Sequence, residues 1–437
     1  MSKKILLSFL SLLIISLFSA CSSLIPKVKD DTKSTELSTK SFDAEDVYIM
    51  YALRAEEIGD SVGANELFQT LYDKSAKKEY LYKALRNQIT LQKNQEVIDQ
   101  VDKVTLGSID DFKLTRFKIV ALFQLKEDKQ AQKIATALVT KSDAVTDYLL
   151  LSDIYTKEGK YESALKSLED AYLKNYDEKI VDKISIIMYV SLNRKKDAIA
   201  QLETHSRMRG CSELICNRLI GFYSKENDID GIVATYLRMY ETTKNETIAK
   251  KIIQIYNYQK KYSQMILFLE KYNLDEETLL QLYTVTKDYK KAFVLANKLY
   301  ENSGNLMYLG QSAIFEYESV QKNSDKKVLQ NVIEKLEEVV KKNKNPLYEN
   351  YLGYVLIDHD IDIKKGMKHI ENVLVVQPDS AYYLDSLAWG YYKLHQCSKA
   401  KTIMDKVVTL EGGDDPEVLE HVQSINRCVK TKKGKNK

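Results

Sequence analysis

The residues with the clearest chemical potential are histidines, cysteines and one acidic run, and no catalytic motif connects them. The five histidines are scattered, and the sequence has no zinc-protease, nucleophile-elbow, P-loop or dinucleotide-binding motif. Asp358, His359, Asp360 and Asp362 form the one dense set of potential metal ligands. Such a set fits either a metal site or a solvated turn between two helices. We therefore predict no enzymatic activity and no cofactor.

The start of the chain has the pattern of a secretory signal. Lys3 and Lys4 precede an uncharged, mostly apolar run from Ile5 to Phe18, and two small residues stand before Cys21. The apolar run is about 14 residues long, shorter than the roughly 20 that a membrane-spanning helix needs. The pattern predicts a signal peptide over residues 1–20, with cleavage before Cys21 and export of the rest.

The sequence Leu17-Phe18-Ser19-Ala20-Cys21 resembles the lipobox of bacterial lipoproteins. The resemblance implies that the sulfur of Cys21 carries a diacylglycerol and its freed amine a further acyl chain. Phe18 departs from the family, which usually has Leu there, and the alternative is ordinary cleavage that leaves Cys21 free. Ser22 and Ser23 resemble the pattern that enteric bacteria send to the outer membrane. We expect an outer-membrane anchor facing the periplasm, with the inner membrane and the cell surface as open alternatives.

Composition favours a long helical body behind a flexible tether. Residues 21–44 contain few large apolar side chains and predict a tether. The remaining chain is too long for one compact core and lacks an internal linker, which favours a repeat array. Only 4 Pro and 15 Gly beside 30 Tyr favour helices, and a net charge of +3 gives no indication of nucleic-acid binding.

A repeated pattern of a small residue opening an amphipathic stretch runs along this body. Most anchors lie 33 or 34 residues apart, and two irregular spacings of 27 and 40 together preserve the frame. The anchors are Ala64, Val97, Ala131, Ala164, Ala198, Gly231, Met265, Ala292, Val332, Gly366 and Ala400. This period fits two helices and two tight turns.

The pattern resembles the tetratricopeptide repeat. It is best developed in two segments, at Leu151, Tyr155, Gly159, Tyr161, Ala164, Leu168 and Ala171, and at Leu384, Leu387, Ala388, Tyr391, Ala400, Met404 and Val407. The resemblance implies an all-α, right-handed α-solenoid of about eleven helical hairpins over residues 45–428, closed by a capping helix from Glu417 to Cys428. Repeats between Gly231 and Val332 are degenerate, with an altered helix length around residues 273–286, and predict weaker packing or a local bend.

Four cysteines remain in a chain predicted to reach an oxidising compartment. Cys397 opens the last second helix and Cys428 lies near the end of the capping helix, so both fall on one edge of the stack and predict a disulfide. Cys211 and Cys216, five residues apart across a helix start, predict another. A four-cysteine metal site is disfavoured because about 180 residues separate the pairs and neither has C-x-x-C spacing.

Other residues have two interpretations each. The acidic run at 358–362 falls at an inter-helix turn of the repeat, which favours a solvated turn over a metal site. Trp389 and the tyrosines fit either packing in the seams or contacts in a groove, and packing is favoured for Trp389. Residues 429–437 predict a basic, disordered tail, with an electrostatic contact to an anionic partner as the alternative.

These observations predict a membrane-anchored scaffold that binds other envelope proteins through its concave face. The resemblance extends to repeat lipoproteins of secretion, pilus, flagellar-motor and polysaccharide-export machines, although a fold alone does not fix a function. The alternative is a periplasmic protein that binds carbohydrate or peptidoglycan by stacking groove aromatics on sugars. Clustering of those aromatics on one stripe would favour the alternative.

Overall fold

The structure is a computed structural model that describes residues 40–320 and 325–435 of the chain. Within those two ranges, helices are the only regular elements. Their bounds are α1 (Glu45–Glu57), α2 (Ser61–Ser75), α3 (Lys78–Thr90), α4 (Asn94–Thr105), α5 (Phe112–Gln124), α6 (Asp128–Ser142), α7 (Val145–Lys157), α8 (Tyr161–Asn175), α9 (Glu178–Ile186), which a π-helical turn (Ile187–Ser191) continues, α10 (Lys195–Arg209), α11 (Glu213–Lys225), α12 (Ile229–Thr243), α13 (Glu246–Tyr258), α14 (Tyr262–Tyr272), α15 (Glu276–Val285), α16 (Tyr289–Ser303), α17 (Leu306–Val320), α18 (Lys326–Lys342), α19 (Pro346–Asp358), α20 (Ile363–Val376), α21 (Ala381–Lys393), α22 (Cys397–Val407) and α23 (Pro416–Lys435).

The fold is an α-solenoid, as predicted. Helices α1 to α22 alternate as first and second helices of the repeat, and α23 follows the last of them. The chain divides within α13 into two compact units, one ending at Ile252 and the other beginning at Ile253. Apolar residues of each helix pack against the next hairpin within a unit, so that several hairpins share each hydrophobic cluster. Stability therefore depends on stacking, because no hairpin buries its apolar face alone.

The predicted anchors occupy one equivalent place in the second helix of each hairpin. All but Gly231 and Val332 are the fourth residue of their helix, and all but Gly231 are buried. The two irregular spacings have a structural cause. The spacing of 27 spans the short helices α14 and α15, which contain 11 and 10 residues. The spacing of 40 spans α17, which contains 15 residues, and ends at Val332, the seventh residue of α18. The altered helix length predicted around residues 273–286 is therefore present.

Local signals fix where the hairpins turn. Aspartates cap several second helices, as where the carboxylate of Asp60 accepts a hydrogen bond from the amide of Gly63 at 2.9 Å. Gly159 precedes α8 with φ +73°, a conformation that costs glycine little. Between α19 and α20 the backbones nearly touch, because a Cβ on Gly353 would lie 2.8 Å from the carbonyl oxygen of Gly366.

Salt bridges between adjacent hairpins complement the apolar packing. Arg116 of α5 binds both carboxylate oxygens of Asp147 of α7, with Nε–Oδ1 at 2.6 Å. Arg218 of α11 binds Asp182 of α9 in the same way, with Nε–Oδ1 at 2.6 Å. Each pair joins residues about one repeat apart. Such bidentate pairs fix the orientation of one hairpin on the next as well as their contact.

The last helix covers the end of the array. Val418 and Ile425 of α23 are buried against Ala388 of α21 and Ala400 of α22. The helix continues to Lys435, beyond Cys428, and thus enters the basic segment that was expected to be a disordered tail. Among the described residues, no helix is long and apolar enough to cross a membrane.

We predict that the close approach at the anchors limits the size of their side chains. Ala198→Leu places a larger side chain at a fully buried position of α10 and should destabilise the first unit by about 1–3 kcal/mol. Ala200→Leu in the same helix is the matched control, since Ala200 is exposed. Urea unfolding followed by circular dichroism at 222 nm measures both. Equal midpoints for the two variants would contradict the proposed packing.

Candidate functional site

The cysteines are the first predicted site residues, and the structure joins four of them in two disulfides. Cys211 bonds Cys216, and Cys397 bonds Cys428, with Cα–Cα distances of 5.4 and 5.8 Å. The second bond ties the start of α22 to α23. Cys21, the predicted lipidation site, lies outside the described residues, so its modification stays a prediction.

The second unit carries a group of aromatic and acidic side chains on the first helices of its last three hairpins and on α23. We refer to this group as the C-terminal cluster. Most of its members are half-buried, whereas Glu417 is exposed and His421 is buried. The members are Tyr317 and Glu318 of α17, Tyr351, Tyr354 and Asp358 of α19, His359 directly after α19, Trp389 of α21, and Glu417 and His421 of α23.

Tyrosine hydroxyls connect the helices of the cluster. The hydroxyl of Tyr351 donates to Oε1 of Glu318 at 3.2 Å, and that of Tyr354 donates to Oε1 of Glu417 at 2.5 Å. The hydroxyl of Tyr317 lies 3.2 Å from Nε2 of His359. The middle helix α19 is therefore bonded to both α17 and α23 through phenol–carboxylate contacts.

Trp389 contacts two nearly parallel rings and one carboxylate. Its indole is nearly parallel to the imidazole of His421 and to the ring of Tyr392, with centroid distances of 4.0 and 4.6 Å. Its Nε1 donates to Oδ1 of Asp358 at 2.8 Å. His421 in turn lies 2.9 Å from Oδ2 of Asp385. These contacts support the packing interpretation of Trp389, since its rings and donor already have partners within the protein.

The electrostatics of the cluster keep its phenols protonated. Burial raises the pKa of Tyr354, and the charges of Asp358 and Glu417 raise it further. Burial likewise raises the pKa of Tyr351 and of Tyr317. All three phenols are thus neutral in the physiological range, and those of Tyr351 and Tyr354 donate to the carboxylates of Glu318 and Glu417.

The acidic run that could have held a metal forms a turn whose carboxylates are engaged separately. Asp358 accepts from Trp389, Asp360 pairs with Lys393 at 3.0 Å, and Asp362 caps α20 by accepting from the amide of Lys365 at 2.9 Å. Within residues 40–320 and 325–435, no group of three or more His, Cys, Asp or Glu side chains could hold a metal ion. The arrangement agrees with the structural interpretation of this turn.

Of the carboxylates of the cluster, the sequence singled out Asp358 as a possible metal ligand and named Glu417 only as the start of the capping helix, and it gave no role to Glu318. One signal could have found part of the cluster, because Tyr317, Tyr351 and Asp385 follow one another at intervals of 34 residues on successive first helices. Glu417 does not belong to this series of residues spaced 34 apart. Its contact with Tyr354 joins residues 63 apart and requires knowledge of how α23 packs on the last hairpins.

The chain matches no protein-family model and no curated protein. Among solved structures, it is similar to MamA (residues 41 to the end) from Desulfovibrio magneticus, with 18% identity, a TM-score of 0.34, and coverage of 40% of this chain and 99% of that one. It is also similar to the APC/C hetero-tetramer Cut9–Hcn1, with 12% identity, a TM-score of 0.33, and coverage of 87% and 90%. The TPR domain of P58(IPK) has 12% identity, a TM-score of 0.26, and coverage of 89% and 99%.

We predict that the disulfide between Cys397 and Cys428 stabilises the packing of α23 against the rest of the C-terminal cluster. Replacing both cysteines by serine should destabilise the second unit by about 2 to 4 kcal/mol, because the unfolded chain loses the constraint of a loop of 31 residues. Emission from Trp389, which contacts His421 of α23, reports the transition in urea.

The matched control for this prediction is the double serine variant at Cys211 and Cys216. This second disulfide lies in the first unit and joins residues only five apart. Removing this disulfide should leave the urea midpoint of the Trp389 emission transition unchanged. A Trp389 transition that shifts equally in both double variants, or in neither, would contradict the assignment.

Proposed function

We propose that the protein is a membrane-anchored scaffold of a bacterial cell envelope that binds other proteins and catalyses no reaction. The C-terminal cluster is the observation that carries this proposal. It places half-buried aromatic and acidic side chains on the first helices of adjacent hairpins, where Tyr317, Tyr351 and Trp389 also border the apolar cores. Partly exposed aromatic residues bounded by polar groups are typical of sites that bind other proteins.

The architecture supports a binding role for a second reason. Stacked hairpins give a solenoid an extended surface that scales with the number of repeats, and repeat proteins use such surfaces for binding. Of the two disulfides, one joins the final helix to the array, and such bonds persist in oxidising compartments outside the cytosol. Both features favour an exported interaction protein.

The proposed cellular location depends on the sequence pattern at the N-terminus. Cleavage before Cys21 and acylation at that residue would leave residues 22–44 as a tether between the lipid and α1. The two serines after Cys21 favour the outer membrane, with the solenoid in the periplasm. The proposed partners are proteins of an envelope assembly of the secretion, pilus, flagellar-motor or polysaccharide-export type.

We predict that Cys21 alone carries the anchor. Cys21→Ala should abolish incorporation of radiolabelled palmitate and move the protein from the membrane fraction to the soluble fraction. The physical reason is that each buried methylene of an acyl chain contributes about 0.8 kcal/mol to membrane binding. Ser22→Ala is the matched control and should retain the label. Label retained in Cys21→Ala would place the acylation elsewhere.

Cross-linking of the anchored protein in its own cells tests the scaffold function. After mild cross-linking and affinity purification, mass spectrometry should recover a few envelope proteins in fixed proportion, and their recovery should fall in Cys21→Ala. Recovery of glycan fragments without proteins, or of nothing reproducible, would contradict the scaffold and favour a carbohydrate-binding protein.

A further inference from the structure

The first helix of the array is apolar on two sides. On one side, Ala52 and Ala55 of α1 are buried in the hydrophobic cluster of the first hairpin. On the other side, four large apolar residues remain about half exposed or more, at spacings of three, four and seven residues that place them on one side of a helix. They are Val47, Met50, Tyr51 and Ile58, and we call them the α1 face.

The same helix positions are buried in a hairpin that another hairpin precedes. Val47 and Met50 are the third and sixth residues of α1, and they are 48% and 59% exposed. The third and sixth residues of α5 are Leu114 and Phe117, which are 0% and 8% exposed. The difference arises because α4, the second helix of the preceding hairpin, packs against α5 within one hydrophobic cluster.

Helix α7 shows the same relation. Met50 and Tyr51 correspond to its sixth and seventh residues, Leu150 and Leu151, which are 7% and 5% exposed and belong to one cluster with Leu138 of α6. Among the described residues, only residues 40–44 precede α1. The α1 face therefore continues the stacking interface of the array without a second helix on it in the described part of the chain. Terminal repeats usually have a polar outer surface instead.

The α1 face lies in acidic surroundings. Residues 43–60 contain six carboxylates and one cationic side chain, that of Arg54. Asp46 and Glu57 are exposed and directly precede Val47 and Ile58 in the chain. Arg54 is already bonded to Glu57, with Nη1–Oε2 at 2.7 Å. A partner that covers this face consequently meets a net negative charge.

This charge distinguishes between the possible occupants of the face. A second copy of the chain in a two-fold contact would bring two acidic α1 helices together, which like charges oppose. Helices that lie on a membrane surface are typically rich in lysine and arginine on their polar side, whereas α1 is rich in carboxylates. A helix that carries cationic residues beside an apolar stripe satisfies both the shape and the charge of the face.

We propose that the α1 face binds an amphipathic helix of a partner protein, in the place that a second helix of the repeat occupies on α5 and on α7. The apolar residues of the partner helix recur at intervals of three and four residues and cover Met50 and Tyr51. Lysine or arginine residues beside them meet Asp46 and Glu57. This assignment rests on the proposed scaffold function and names the kind of segment by which the scaffold recognises a partner.

Photo-cross-linking of the full-length protein in its own cells tests the proposal. The photoreactive amino acid p-benzoyl-phenylalanine is placed at Met50, and mass spectrometry then sequences the peptide that irradiation attaches to it. We expect a segment of another protein with apolar residues at helical spacing and with lysine or arginine beside them. The matched control has the same photoreactive group at Leu173, which is 63% exposed on α8, and should yield at least about tenfold less of that adduct.

A synthetic peptide of the sequenced segment then measures the contribution of the face. Isothermal titration calorimetry with the detergent-solubilised, full-length protein should show binding that Met50→Ser with Tyr51→Ser weakens by about tenfold or more. Leu173→Ser with Met208→Ser, at exposed positions of α8 and α10, is the matched control and should bind within about twofold of the unmodified protein.

A second pair of substitutions tests the selection by charge. Asp46→Asn with Glu57→Gln removes both carboxylates beside the α1 face and should weaken binding of the same peptide by about threefold or more. Both positions are exposed, so equal urea midpoints for this variant and the unmodified protein establish that folding is retained.

Several results would overturn the proposal. These are an adduct of Met50 with lipid, with a second copy of the chain or with residues 22–39 of the same chain, and the absence of any adduct. An attached segment without helical apolar spacing or without basic residues, or equal binding by the Met50 and Leu173 double variants, would also overturn it. The scaffold function fails separately, if chemical cross-linking recovers no protein partners from unmodified cells.

Discussion

The rest of the structure depends on the close approach of two helices at one small or buried residue in each hairpin. Where that residue is alanine or glycine, the second helix lies against the first, as Gly353 and Gly366 show by leaving no room for a Cβ. A hairpin closed in this way still exposes an apolar face, which only the next hairpin can cover. Repetition follows from this constraint, because each added hairpin creates the surface that the following one needs.

Stacking divides the polar residues into two groups with different roles. One group pairs across neighbouring hairpins, as Arg116 does with Asp147, and fixes their orientation. The other group is hydrogen-bonded to neutral side chains, as Glu318 is to the hydroxyl of Tyr351 in the C-terminal cluster. The repeat geometry brings both groups to regular positions along the chain.

Much of the fold could be predicted from the sequence, because the anchors repeat with the structural period. Ala64, Ala164 and Ala400 each proved to be the fourth residue of a second helix, and the spacing of 27 proved to reflect two short helices. Both cysteine pairs are bonded in the structure. The pairing of Cys397 with Cys428 could be predicted because the repeat frame places the two residues at the same edge of the stack. The cluster was harder to predict. Its key contact, between Tyr354 and Glu417, depends on the packing of a final helix that has no repeat to define it.

The disulfide at the C-terminal end makes the two ends of the array differ in how easily they unfold. Arrays of this kind fray from their terminal hairpins, because an end hairpin has one neighbour and an inner hairpin has two. The bond between Cys397 and Cys428 prevents α23 from leaving the last hairpin while it stays oxidised. A processive protease that pulled on the C-terminus would therefore meet a closed loop almost at once, whereas the hairpin of α1 and α2 has no disulfide to hold it. Reduction of the bond between Cys397 and Cys428 would open this loop and allow α23 to separate from the last hairpin.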